Sequence, residues 1–317
     1  MSVPPSMTAG SVHPNGTLAP PLWARQLVEN GSSTSLPVPL ESLEAEMSAS
    51  DGYTMTSVRL RGVDAMNILT FQASVADAYR VILEQIRGDH PLRFWAFLPR
   101  IHTDYGNGLD RYMIFNVGRF AAFSAWMGGP GAFAEAMPAG SAVGTWGREL
   151  VLYGLASRWP GKPVENPRQI PSYRYSKRFG PLPPCFARAT VVRRRPLEPD
   201  VLLVGGTASI VGEDSQHPED VLAQTDETFR NLASVVRSAC LPKAAAGVEG
   251  AKSLREWLGL FRDLRVYYRE AQDRAAILAR IEASFARVRR VEALPAELCR
   301  PELLVEIEGV AELPPEE

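Results

Sequence analysis

The 317-residue chain has only three cysteines, Cys185, Cys240 and Cys299. They are odd in number, far apart and outside any CxxC or Cys/His cluster, which argues against structural zinc. Lysine is nearly as scarce: four of the 34 basic residues are lysine (Lys162, Lys177, Lys243, Lys252) and the rest are arginine. No long basic tract occurs and the net charge is −2, so nucleic acid is not expected as a partner. There is no run of 18 apolar residues and no basic-then-apolar pattern at the N-terminus. The expectation is a protein that is neither exported nor membrane-embedded, in a reducing, cytoplasmic setting. What remains, 45% hydrophobic and 22% charged, is the make-up of a globular chain long enough for two domains.

The most informative stretch is CRPELLVEIEG, Cys299 to Gly309. It reads as a strand with Leu304, Glu306 and Glu308 on one face and Val305 and Ile307 on the other. A carboxylate between apolar residues in a strand is either a solvated rim or a buried acid. A buried one retains its proton near neutral pH and becomes usable as a general acid.

Residues 1–50 are rich in Pro, Ser, Gly and Thr, with little apolar periodicity, and read as a mobile arm. Strands are expected at Tyr53–Gly62, Arg93–Pro99 and Glu149–Ser157, and helices at Phe71–Ile86 and Gly108–Met127. Residues 51–165 thus form a first α/β domain. Residues 166–185 lie in a stretch dense in Pro, Tyr and Arg that reads equally as a linker or as the ordered wall of a site. In residues 186–317, strands are expected at Phe186–Val192, Val201–Gly212, Leu264–Glu270, VRRVEAL and LLVEIEG. Helices are expected at His217–Cys240, with Ser215 as a cap, and at Gln272–Ala286. The order is ββαβαββ, an α/β (α+β) plan in which both helices cover one face of a mixed sheet. The first half reads as a degenerate version of it.

Several pieces of the second half resemble the RidA/YjgF family: GGTASIVGED, then Gln224-Thr225 with Asn231-Leu232, then Val305-Glu306-Ile307-Glu308. The whole chain resembles a narrower group, the chorismatases, which have two RidA-like (chorismate-mutase-like) domains. The supporting segments are LPRIHTDYGNGLDRYMIFNVGRF, PVENPRQIPSYRYSKRFGPLPPCFARAT, GGTASIVGEDSQHPEDVLAQTDETFRNLA and CRPELLVEIEG, in that order. The resemblance implies chorismate as substrate, a catalytic domain in residues 186–317 and no metal or other cofactor.

Chorismate carries two carboxylates and an enolpyruvyl ether. Cleaving that ether needs a proton on its terminal methylene carbon. The site therefore needs one acid of raised pKa, a cation for each carboxylate and walls that exclude water. The resemblance places the acid at Glu306. An unperturbed glutamate would be about 0.2% protonated at pH 7, and from the residues alone a sheet-edge carboxylate without a role is the commoner case. Glu308 reads as a solvated or ion-paired carboxylate.

For substrate binding, Arg188 offers a fork that clamps a carboxylate, and Tyr175 a hydroxyl. Tyr112 and Arg119, two helical turns apart, share a face and offer a second carboxylate contact. Tyr267, Arg178 and Arg300 are weaker candidates. Strand alternation puts Arg300 opposite Cys299, so the two are not expected to line one pocket. The resemblance makes Gly212 and Cys299 determinants of the product, of the type that gives 3-hydroxybenzoate. Cys299 as a nucleophile is disfavoured, since no base neighbours it.

The leading expectation is cleavage of chorismate to pyruvate and 3-hydroxybenzoate. The alternatives are hydrolysis to 3,4-dihydroxycyclohexa-1,5-dienoate, formation of 4-hydroxybenzoate, an imine deaminase of the RidA type, or a non-catalytic ligand-binding protein. Both a monomer and a homotrimer are compatible with the sequence.

Overall fold

The computed structural model describes residues 6–9, 18–86, 88–106, 108–193, 199–241 and 252–315. The first half runs β1 (Ser6–Ala9), α1 (Leu22–Gln26), β2 (Ser32–Ser35), β3 (Leu43–Ser50), β4 (Tyr53–Leu60), α2 (Ile68–Gln85), β5 (His90–Pro99), α3 (Arg111–Met127), α4 (Phe133–Ala136), β6 (Ala139–Thr145) and β7 (Leu150–Ser157). The second runs β8 (Gly161–Val164), β9 (Ala189–Val192), β10 (Val201–Ala208), β11 (Ile210–Val211), β12 (Asp214–Ser215), α5 (Val221–Cys240), α6 (Leu254–Leu258), β13 (Phe261–Tyr268), α7 (Arg274–Ser284), β14 (Arg290–Pro295) and β15 (Val305–Glu312).

Apart from short insertions, β3 to β7 and β9 to β15 both follow ββαβαββ. The sheets have the same strand order, β3-β4-β7-β5-β6 in one and β9-β10-β15-β13-β14 in the other. In each, the β5–β6 or β13–β14 pair is parallel, and β1 adds a further parallel pair on β14 in the second sheet. In the last strands, Tyr153 pairs with Trp95 and Glu308 with Arg265. LVLYGLAS and VEIEGVAE then align position for position, with Gly154 at Gly309, Ala156 at Ala311 and Val151 at Glu306. The first unit therefore keeps the plan but has valine where the second has its acid.

Strand β2 extends the first sheet, and β1 and β8 extend the second. Helices α2 and α3 cover the outer face of the first sheet around Phe71, Val75, Ile82, Phe115 and Phe123. Helix α5 covers the outer face of the second with Phe229, Leu232 and Val236, joined by Ile277 and Ile281 of α7. The inner faces pack on each other through Trp95, Phe97, Val151, Leu203, Tyr267 and Leu294. Both faces of each sheet are thus buried, which explains the near-continuous apolar runs in β5 and β7. Gly118, which interrupts α3 at a propensity cost of about 1 kcal/mol, sits where the helices touch. A Cβ there would lie 2.5 Å from the Gln72 carbonyl oxygen of α2.

The expected mobile arm is largely built into the fold. Leu18, Ala24 and Val28 are buried, and β3 pairs with β4 along its length. Small and polar residues in LEAEMSAS hid the strand, because only Leu43 and Ala45 reach the core. The rest of the expected arm, residues 1–5 and 10–17, lies outside the described residues. Asp220, not Ser215, caps α5 by accepting from the Ala223 amide at 2.9 Å.

Candidate active site

Strand β15 turns Val305 and Ile307 into the core beneath α5 and Glu306 and Glu308 toward the first domain. The two carboxylates meet opposite environments. Glu308 accepts from Arg93 Nη2 at 2.6 Å, Trp95 Nε1 at 3.1 Å and Tyr267 OH at 3.2 Å, and also from Ser141 Oγ. These are the surroundings of a carboxylate anion. Glu306 is 4% exposed and, among the described residues, accepts no hydrogen bond. Burial first, then the charge of Glu308, pushes its pKa up to about 8, against the lowering pull of Arg93 and Arg188. Of the two carboxylates on this strand, the one without donors is the one whose burial favours its protonated form.

A bulge in β10 makes room for this acid. The register against β15 shifts between Val204 and Thr207, at Gly205-Gly206. A Cβ on Gly206 would lie 2.1 Å from Glu306 Oε1, and one on Gly205 would lie 2.8 Å from the Gly140 carbonyl oxygen. The glycine pair lets strand β6 of the first sheet approach β10 and lets the carboxyl lie flat over the backbone.

Glu306 faces a cavity of about 190 Å³ between the domains. Tyr112 of α3, Ser141 of β6, Tyr175, Phe179 and Phe186 line it, with Arg188, Cys299 and Arg300. Arg188 Nη2 donates to Tyr175 OH at 2.8 Å and to the Ile170 carbonyl at 2.9 Å, and its guanidinium lies over the Phe186 ring at 5.1 Å. Its buried Nε has no hydrogen-bond partner among the described residues. The result is a pinned cation with donor capacity left over, beside a neutral acid, in an aromatic box. A second cavity of about 140 Å³, lined by Trp23, Leu27 and Tyr53, lies elsewhere between the sheets. Its carboxylates, Asp263 and Glu312, are paired with Arg290 and Arg262.

The structure brings Glu306, Arg188, Tyr175, Tyr112 and Cys299 to one cavity and leaves two expected residues outside its lining. Arg119 is buried behind it, donating to Asn116 Oδ1 at 2.7 Å with its guanidinium over the Phe115 and Phe186 rings. Gly212 sits in the turn between β11 and β12 at φ +60°, with no atom of the described residues within 4 Å of a Cβ built there. It serves the turn, while Gly206 is the glycine that touches the acid.

The expected opposition of Cys299 and Arg300 fails. The strand begins at Val305, so residues 299–304 form a turn in which alternation does not apply, and both side chains line the cavity. Of the weaker candidates, Tyr267 serves Glu308, and Arg178 is exposed and paired with Asp214 at 2.5 Å. Burial, then the charge of Glu306, pushes the Cys299 thiol up to about 12, which leaves it protonated and a poor nucleophile.

The segment before β9 is a wall rather than a linker. Ser172 Oγ bonds the Pro184 and Phe186 carbonyl groups, and the Ser176 amide donates to Glu213 Oε2. Sequence reasoning missed Gly206, Ser141 and Glu165. The glycine pair before the TAS segment was the one signal available for Gly206. Glu165 lies 4.0 Å from Arg188 Nε, and burial pushes it up to about 7 despite the opposing charges of Arg188 and Arg174.

Residues 39–156, spanning β3 to nearly the end of β7, match the family described as chorismatase FkbO/Hyg5-like, N-terminal. Over 232 residues the chain is 33% identical to a 3-hydroxybenzoate synthase of Streptomyces hygroscopicus, across 72% of this chain. The chain belongs to the chorismatase family. A chorismatase of Streptomyces rapamycinicus is 33% identical over 221 residues, 69% of this chain. These matches span 65% and 63% of the relatives' own lengths, just under two thirds. A crystal structure of a chorismatase superposes with a TM-score of 0.69 at 28% identity, covering 87% of this chain and 78% of the other.

In this chorismatase chain, the Gln-Thr and Asn-Leu signature of α5 is scaffolding for the cavity. Gln224 and Asn231 lie two turns apart on one face. Gln224 donates to the Glu302 carbonyl at 2.8 Å and accepts from the Leu304 amide at 2.8 Å, fixing the turn that presents Cys299 and Arg300. Asn231 donates to the Ala208 and Ile210 carbonyls at 3.0 and 2.9 Å, fixing the opposite wall.

Proposed function

We propose that this protein cleaves the enolpyruvyl ether of chorismate to pyruvate and 3-hydroxybenzoate, with Glu306 as the general acid. The observation that carries the reading is a buried Glu306, its pKa pushed up to about 8, beside the pinned cation Arg188 in a cavity between the domains. Arg188 takes a carboxylate of the substrate, with Tyr175 holding its guanidinium in place and Tyr112 closing the wall. Glu306 gives its proton to the terminal methylene carbon, which becomes a methyl group, and the adjacent carbon becomes an oxocarbenium ion. The ring hydroxyl displaces the enolpyruvyl oxygen, which leaves with its carbon as the keto group of pyruvate. The resulting epoxide opens by breaking the oxygen's bond to the carbon that first bore the hydroxyl, and loss of the proton from the carbon that now holds the oxygen aromatises the ring and returns the Glu306 carboxylate to its acid form. The two products together contain the atoms of chorismate, so no water is consumed.

The aromatic walls favour this outcome over hydrolysis by keeping water from the cation, and Cys299 shapes the floor beside the acid. The name of one relative, a 3-hydroxybenzoate synthase, agrees with the same product. The test is incubation of purified protein with chorismate, following pyruvate by a coupled assay and aromatic products by chromatography. Pyruvate and 3-hydroxybenzoate in equal amounts support the reading. Pyruvate with the dihydroxycyclohexadienoate or 4-hydroxybenzoate replaces the product, and no pyruvate above the uncatalysed rate removes the chorismate reading altogether.

A further inference from the structure

We propose that Arg300 forms a second anion subsite in the cavity and holds the ring carboxylate of the substrate, leaving the enolpyruvyl carboxylate to Arg188. This rests on the chorismate reading for the identity of the ligand, and on geometry for the existence of the subsite.

Among the described residues, the cations that line the cavity are Arg188 and Arg300. Arg300 is 8% exposed and pinned from two directions. Its Nη1 donates to the Glu213 carbonyl at 2.8 Å and to Ser215 Oγ at 3.0 Å. Its guanidinium lies over the Phe179 ring at 4.0 Å and the Tyr175 ring at 5.5 Å. Nε and Nη2 make no hydrogen bond, and no carboxylate lies within 4.0 Å of Arg300, among the described residues. An almost buried guanidinium without a counter-charge is costly unless a ligand supplies one. Held by its face and one amino group, it presents a free N–H edge, the geometry that grips a carboxylate with two parallel hydrogen bonds. Glu302, the nearest acid in the turn, is engaged by Ser215 Oγ at 2.7 Å.

The division between the two carboxylates follows from where the acid lies. Arg188 lies beside the bulge under the acid, its carbonyl accepting from the Gly205 amide at 2.8 Å next to Gly206, which touches Glu306, whereas Arg300 is tied to Glu213 and Ser215 at the β11–β12 turn. Glu306 must reach the methylene carbon, which is bonded to the carbon bearing the side-chain carboxylate. That carboxylate therefore belongs to the cation nearer the acid, Arg188. The ring carboxylate extends past Cys299 to Arg300.

The test uses 3-hydroxybenzoate, which carries only the ring carboxylate, and pyruvate, which carries only the other. Calorimetric titration of the parent protein, Arg300→Gln and Arg300→Lys with each ligand reads the subsites separately. Arg300→Gln should weaken 3-hydroxybenzoate about 10- to 100-fold and leave pyruvate binding unchanged. It should raise KM for chorismate by a similar factor, with kcat much less affected. Arg300→Lys, which keeps charge and stem but loses the fork, should fall between and shows whether the position tolerates change. Equal weakening of both ligands, unchanged binding of 3-hydroxybenzoate, or a parent protein that does not bind it overturns the subsite. A parent that binds 3-hydroxybenzoate through Arg300 yet releases no pyruvate from chorismate keeps the anion subsite and removes the chorismate reading.

Discussion

At the scale of single residues, the account turns on Glu306 and its neighbour two positions along the strand. Glu308 is satisfied by four donors and carries charge, and that charge helps keep the proton on Glu306. Glu306→Gln should fold normally and lose about 100- to 10,000-fold in pyruvate release, the usual range for a general acid. The same substitution has a stability signature. The folded pKa of Glu306 is about 8, above its ordinary 4.5, so its contribution to stability is full below 4.5 and is lost as pH rises through 8. Thermal melts should therefore show Glu306→Gln matching the parent protein near pH 4, gaining on it as pH rises from about 4.5 to about 8, and levelling off above that. Gly206→Ala should push the carboxyl aside, and displacement of this order lowers kcat by about 100-fold. An alanine variant with parental kcat would show that the carboxyl tolerates the displacement.

At the scale of elements, helix α5 holds two walls of the cavity with two amide side chains. Asn231→Ala strips both donors from the Ala208 and Ile210 carbonyls and leaves Arg168 Nη1 without its partner. It should cost about 2–4 kcal/mol, read as a lowered urea midpoint at unchanged slope. The long elements were legible because their apolar spacing is strong: α2, α3, α5 and β4, β5, β7, β10, β13 and β15 all lie where periodicity puts them, within a few residues. Strands β3 and β6 were not legible. AGSAVGT offers little periodicity, since its small residues are chosen for close approach to β9 and β10 rather than for an apolar face. The misreading of Cys299 and Arg300 has a similar origin. Alternation was extended past the end of β15 into a turn, where the positions of side chains are set by Gln224 on another element. Glu306 was singled out through the resemblance, while its isolation from donors and the bulge beneath it are tertiary facts.

At the scale of the whole molecule, two copies of one ββαβαββ plan face each other, and the cavity lies where their sheets meet. Arg93 of the first unit holds Glu308 of the second, an ion pair of side chains 1% and 2% exposed. Breaking it leaves a charge buried without its partner, so Arg93→Met should cost about 3–5 kcal/mol and lower the midpoint of denaturant unfolding. The first unit supplies Tyr112, Gly140 and Ser141 to the site but has Val151 in the place of the acid. In the proposed reading one unit frames the cavity and the other carries Glu306.

The most direct test of this arrangement is the pH dependence of kcat/KM for pyruvate release from chorismate, measured on the parent protein and on Glu308→Gln. The account predicts a rate that falls above about pH 8 in the parent, because the proton being delivered is the one burial and Glu308 keep on Glu306. Without the Glu308 charge that fall should begin at lower pH. A rate that holds or rises through pH 9, or a fall that does not move in Glu308→Gln, would contradict it.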